Sequence, residues 1–163
     1  MGLKEYSDSL YNTQRRSVKR TGLVADLATN NTTSLFRVSG GLILLHGMSG
    51  VVTAAMDANA TTIGLLLVTA ISGTIVPMSA ATLAITSAAV EAVITMDGRV
   101  GTALTLQDGA ARGVGVYNIT NEQVLVSGLI RIINATAVQA TGGIIDWSIS
   151  YTPLAEGVSV TAL

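Results

Sequence analysis

Toward the end of the chain Ile145, Trp147, Ile149 and Tyr151 alternate with Asp146, Ser148 and Ser150. A period of two puts the four large side chains on one face of a strand and the polar ones on the other. The alternation returns in shorter form where Leu104 and Leu106 bracket Thr105 ahead of Gln107. It returns again where Val114 and Val116 bracket Gly115 ahead of Tyr117. Residues 124–133 are apolar at both parities, broken by Ser127, Gly128 and Arg131, which predicts a strand sandwiched between layers. Strands are also expected over 35–38, 42–45, 51–55, 62–69 and 92–96. Turn chemistry falls between these runs at Gly40-Gly41, Ser49-Gly50, Asp57 to Asn59, Asp97-Gly98, Asp108-Gly109, Asn121-Glu122 and Gly142-Gly143. Short strands with turns about every ten residues predict an all-β protein, an antiparallel β-sandwich or jelly roll. Residues 79–90, rich in Ala, are the exception and fit either a short helix or a strand.

Composition sharpens this picture. Of 163 residues, 49% are hydrophobic and 12% charged, about half the usual charged share of roughly 25%. So little charge excludes a disordered chain and points to a surface that meets other protein. The stretch 58–90 has no charged residue at all. Gly64, Gly73, Pro77 and a scatter of Ser and Thr interrupt it, and no cation cluster flanks it, so a membrane-spanning helix is not expected. The basic start leads into no apolar core of a signal peptide.

Charge is unevenly placed. Residues 1–20 hold five cations and two anions, whereas 21–163 hold four and eight. This divides the chain into a basic, extended N-terminal arm with its linker (1–33) and a β-sandwich domain (34–163). Basic arms touch nucleic acid or acidic protein surfaces. Tyr6, Leu10 and Tyr11 add apolar anchors to Arg15, Arg16, Lys19 and Arg20, the residue types found at binding hot spots. These seven are the expected partner-binding residues, with a neighbouring subunit or capsid lattice favoured over nucleic acid.

No catalytic, cofactor or metal site is expected. Cys is absent and His46 is the single histidine. The run His46-Gly47-Met48-Ser49-Gly50-Val51 approaches a nucleophile elbow but has Val where the second Gly should stand. Three residues apart on a regular strand, His46 and Ser49 would face opposite ways, out of hydrogen-bond reach. The glycines around Arg112 form neither phosphate-binding pattern. Asp57, Asp97 and Asp108 read as turn aspartates, without calcium-loop spacing.

Two segments carry a resemblance. Residues 34–58 include Leu35-Phe36-Arg37-Val38-Ser39-Gly40-Gly41 and then Gly50-Val51-Val52-Thr53-Ala54-Ala55-Met56. Residues 142–154 read GGIIDWSISYTPL. Together with the basic opening stretch they resemble small β-sandwich structural proteins of tailed bacteriophages. The resemblance implies a non-enzymatic virion component at the capsid surface, a head decoration or cement protein. It also implies a homo-oligomer, typically a trimer, with the major capsid protein as partner and with no cofactor, nucleic acid or membrane. The other readings are a head fibre, spike, tail component or carbohydrate-binding receptor module, and beyond the virion a binding module or an enzyme.

Overall fold

A computed structural model of the chain describes residues 14–24, 32–96, 100–109, 122–136 and 142–163. Within them the strands are β1 (Arg16–Val24), β2 (Thr32–Ser39), β3 (Ile43–Ala54), β4 (Thr62–Thr69), β5 (Ile75–Pro77), β6 (Leu83–Ala84), β7 (Val93–Thr95), β8 (Thr105–Gln107), β9 (Gln123–Leu125), β10 (Gly128–Asn134), β11 (Ile144–Pro153) and β12 (Ser159–Ala162). They form two antiparallel sheets. The first runs β1-β11-β3-β7-β8, with β9 beside β7 on the same edge of β3; the second runs β12-β2-β10-β4-β5, with β6 against β4. The chain is an all-β antiparallel sandwich, as its periodicity predicts. No helix among the described residues is long and apolar enough to cross a membrane.

The core lies between the sheets. On β11, Ile145, Trp147, Ile149 and Tyr151 point inward and are buried, while Asp146, Ser148 and Ser150 form the outer row. Facing them from the second sheet are Phe36 and Val38 on β2, Ile63, Leu65 and Leu67 on β4, and Ile130 and Ile132 on β10. A buried polar tie crosses between the sheets. The Val160 amide of β12 donates to the Tyr151 hydroxyl at 3.2 Å, giving a buried phenol the partner that it needs.

Two expectations need correction, and one open alternative is decided. Ser49-Gly50 is no turn: β3 runs unbroken through it, and Gly50 sits opposite Trp147. The run 124–133 is two strands rather than one. It changes sheets at Val126 and Ser127, where the Ser127 hydroxyl both accepts from the Gly41 amide (2.9 Å) and donates to the Gly41 carbonyl (3.1 Å). Gly128 opens β10 because a Cβ there would stand 2.4 Å from the Val68 carbonyl oxygen. The Ala-rich run 79–90 forms no helix. Only the two residues of β6 are regular; the rest turns close against the body, with Ala88 fully buried and the Ala81 Cα 2.6 Å from where a Cβ of Gly64 would lie. Its small side chains serve close backbone approach rather than helix propensity.

Residues 16–24, within the stretch read as arm, form an edge strand paired to β11 of the same chain, and β2 begins at Thr32. The expected strand at 114–117 and the turn at Asp97-Gly98 lie outside the described residues.

Candidate functional site

His46 is placed by a β-bulge. Between the pairs Tyr151↔Leu45 and Ser150↔Gly47 the register slips, so His46 has no partner across the ladder. Bulges re-aim side chains in this way. Leu45 and Met48 point into the core, leaving His46 and Gly47 on the outer face. The slip also returns Ser49 to the outer face, so His46 and Ser49 share a side, against expectation. The partners of the imidazole are nevertheless Glu122 and Thr152. Nδ1 meets Glu122 Oε1 and Nε2 meets Thr152 Oγ1, both at 2.7 Å. With Nδ1–H donating to the carboxylate, Nε2 is left to accept the hydroxyl proton. Carboxylate, imidazole and hydroxyl thus stand in a proton-relay order. Thr152 lies on an open sheet face, however, and neither hollow described below is lined by any of the three. What the trio does structurally is clear: it fastens Glu122, the residue before β9, across β3 to β11.

The aspartates in turns behave as caps. Asp57 accepts from the Asn59 amide at 3.0 Å, and Asp108 accepts from the Gly109 amide at 2.6 Å and the Ala89 amide at 3.3 Å. Among the described residues no group of three or more His, Asp or Glu could hold a metal ion.

Of the seven expected partner-binding residues, Tyr6, Leu10 and Tyr11 lie outside the described residues. The four cations line or precede β1. Arg15 Nε donates to Ser150 Oγ at 2.5 Å, and Arg16 pairs with Tyr151 in the ladder. Lys19 Nζ lies 3.0 Å from Asp146 Oδ2. Arg20 points inward, donates from Nε to the Leu163 main-chain oxygen, and so bridges the edges of the two sheets; burial lowers its pKa from the ordinary value. Asp146 also accepts from the Gly22 amide at 2.9 Å, and the two contacts hold its carboxyl below the ordinary value, the amide more than Lys19.

The two outer faces differ. On the first sheet Ser17, Lys19, Asp146, Ser148, Ser150, Thr152, Ser49 and His46 make a polar area over β1, β11 and part of β3, bordered by the exposed Val51 of β3 and Val124 of β9. On the second sheet the cross-strand row Thr161, Arg37, Leu129, Val68 and Ile75 faces outward, followed by the row Arg131, Leu66 and Pro77. Ile75 is 64% exposed, and Val68, Leu129 and Ile133 are half-buried. The six strands of this sheet hold no Asp or Glu and two cations, Arg37 and Arg131, both directed outward. Arg37 has no hydrogen-bond or ion-pair partner among the described residues, and the buried Arg131 Nε has none either.

A groove of about 520 Å³ crosses this face between Arg37, Leu129 and Val68. It shares Thr69 and Ser127 with a second hollow of about 350 Å³ at the adjoining end of the sandwich, where Leu42, Ile71 and Val126 are exposed. Ile71 is 99% exposed. Five strands at about 4.8 Å spacing and about 23 Å of strand length give roughly 450 Å² of face. A stable interface buries about 800 Å² per partner, so the face alone falls short of one.

Residue spacing could not have found this surface, because its members come from five strands in an order that the topology sets. One signal was present: the doubly apolar character of 62–69 and 128–133 marks strands with two apolar faces. On the outer side the turn at Ala80 and Ala81 covers β4 at Gly64, and Leu66 is buried, whereas Leu129, Val68 and Ile75 keep exposed surface. Glu122 and Thr152 had no signal, lying 76 and 106 residues from His46. No family model matches the chain, and neither a curated protein nor a solved structure does.

Proposed function

We propose that this chain is a non-enzymatic structural protein of a virion, a decoration or cement protein that sits on a capsid surface and reinforces it by contact with its own copies and with the major capsid protein. The observation that carries this reading is the unequal pair of outer faces. One is hydroxyl-rich and polar over β1 and β11, with Val51 and Val124 exposed toward its other edge; the other presents Leu129, Val68 and Ile75, has no acid in its strands, and is continuous with an apolar end. Contiguous apolar surface of this size marks a protein interface. The resemblance of residues 34–58 and 142–154 to phage structural proteins supplies the setting. Tyr6, Leu10 and Tyr11, which precede β1 in the sequence, are further anchors for a neighbour in this reading, whereas Arg15, Lys19 and Arg20 are engaged within the chain. The reading as a carbohydrate-binding receptor module draws less support, because Trp147, Phe36 and Tyr151 are buried and offer no stacking platform.

The test is attachment. Purified protein is mixed with heads of the source virus that lack it and spun through a density gradient. Stoichiometric co-sedimentation, with greater resistance of the heads to heat, is the expected result. Protein remaining wholly at the top of the gradient overturns the reading.

A further inference from the structure

The first thirteen residues of the chain carry Leu3, Tyr6, Leu10 and Tyr11, with Glu5 and Asp8 against one cation, Lys4, a net charge of −1. The basic character of the N-terminal stretch therefore belongs to residues 15–20, where Arg15, Lys19 and Arg20 are engaged within the chain. What precedes β1 is apolar and mildly acidic. The second sheet has the opposite sign: its strands hold Arg37 and Arg131 and no acid. Glu156 stands near the rim of the groove, beside the Gly157 that packs on Gly40, yet Arg37 has no partner among the described residues.

The chain enters β1 level with the groove. Arg16 pairs with Tyr151, the Tyr151 hydroxyl meets the Val160 amide, and Val160 pairs with Val38, which lines the groove. β1 and β12 are neighbouring edges of the two sheets, tied by Arg20 and Leu163. From the start of β1 the groove is thus one sheet-to-sheet step and two strand spacings away, about 20 Å. Thirteen extended residues span about 40 Å, enough to reach the groove and lie along it. The tether decides between occupants. It holds the segment at an effective concentration on the order of millimolar, far above that of a second copy in micromolar solution. The face is also smaller than a stable interface between free molecules needs, a limit that does not apply to a tethered segment.

We propose that residues 1–13 fold back over the second sheet of their own copy and cover its groove, with Tyr6, Leu10 and Tyr11 against Leu129 and Val68 and with Glu5 or Asp8 beside Arg37. Exposed ion pairs contribute little, so the apolar side chains carry most of the hold, and Arg37 selects the sign of what lies over it. In the free chain the groove is shielded from water. Where copies crowd on a capsid, a neighbour's groove competes at similar local concentration, and the same anchors pass to it by exchange. Covering of this kind is a property of the free chain, beyond the structural reading above and independent of it.

The experiment is paramagnetic relaxation of amide signals in the full chain. The sequence has no cysteine, so a nitroxide attached at Ser7→Cys marks this segment alone, and Trp147 fluorescence checks folding. With nitroxide and isotope in the same copy, the amides of Leu129 and Val68 are expected to lose most of their signal, while Ser148 and Ser49 on the opposite face keep theirs. With nitroxide on one copy and isotope in another, Leu129 and Val68 are expected to keep theirs too. Tyr6→Ser combined with Leu10→Ser should restore the signal, and Arg37→Glu, at an exposed position, should restore part of it. Loss in the mixed sample would make a second copy the occupant and overturn the proposal. Signal that stays intact within one copy, or loss that neither set of substitutions relieves, would overturn it as well. No heads are present in this measurement, so its failure leaves attachment to heads standing, and failed attachment leaves the covered groove standing.

Discussion

Gly50 faces Trp147 across the ladder between β3 and β11, and the missing side chain makes room for the indole. A Cβ on Gly50 would lie 3.3 Å from Trp147 Cδ2 and 2.9 Å from Ile145 Cγ2. Gly50→Ala should therefore cost about 1–3 kcal/mol by overpacking, and Trp147→Ala about 3–5 kcal/mol by leaving a cavity. Trp147→Phe should cost less than Ala, because the buried Nε1 has no hydrogen-bond partner among the described residues to lose. Gly50→Ala combined with Trp147→Phe should cost less than the sum, since the two sites share one volume. Urea unfolding of the four variants checks this; strict additivity would show that the two positions do not compete for space.

Tyr151 ties the sheets together. Tyr151→Phe keeps the ring but leaves the Val160 amide buried without its acceptor. An unsatisfied buried donor costs about 1–3 kcal/mol. The loss should appear locally, as faster amide exchange in β12 than in β10. Unchanged exchange at Val160 would show that the hydroxyl contributes nothing.

Acid should loosen β1 first. The Asp146 carboxyl is held low by the Gly22 amide and by Lys19, so its contribution is fully present above the unfolded value of about 3.9. That contribution is lost as the pH falls through the lower folded value, where the native state finally takes up the proton. Amide exchange at Lys19 and Arg20 should thus accelerate between pH 5 and pH 2 on the order of tenfold more than in β10. Asp146→Asn should remove that difference. Equal acceleration in the variant would assign the acid effect elsewhere.

His46→Ala should release Glu122 and Thr152 together. With Glu122 partly exposed, the cost should be about 1 kcal/mol. The informative readout is the three residues of β9, whose amides should exchange faster while those of β7, on the same edge of β3, do not. Glu122→Gln keeps a hydrogen bond to the imidazole and should lose less. If β9 is unaffected by either change, the trio is not what holds that strand.

Much of the architecture was legible locally. The alternation in 145–151 names the buried face of β11 residue by residue, because a strand's period of two is a property of its own backbone. Gly40-Gly41 and Gly142-Gly143 mark turns because all four adopt positive φ, which glycine reaches without strain. Ser49-Gly50 carries the same signal and misleads. There glycine is demanded by Trp147, a residue 97 positions away, and not by a turn. The same holds for 79–90, where small side chains serve packing against Gly64 and not a helix.

The sequence by itself determined the all-β class, the inward face of the central strand and the low charge of the body, because each depends on near neighbours or on composition. Tertiary structure alone decided the rest. It split 124–133 between two sheets and bulged β3 at His46 so that Glu122 and Thr152 meet its ring. It also brought Arg37, Leu129, Val68 and Ile75 into one row. Such contacts are made by strand order and register, and a one-residue slip in register exchanges every inward side chain for an outward one. No local pattern encodes which strand lies beside which. That choice follows from burying the most apolar surface at once, and it leaves the row of Arg37, Leu129, Val68 and Ile75 facing outward.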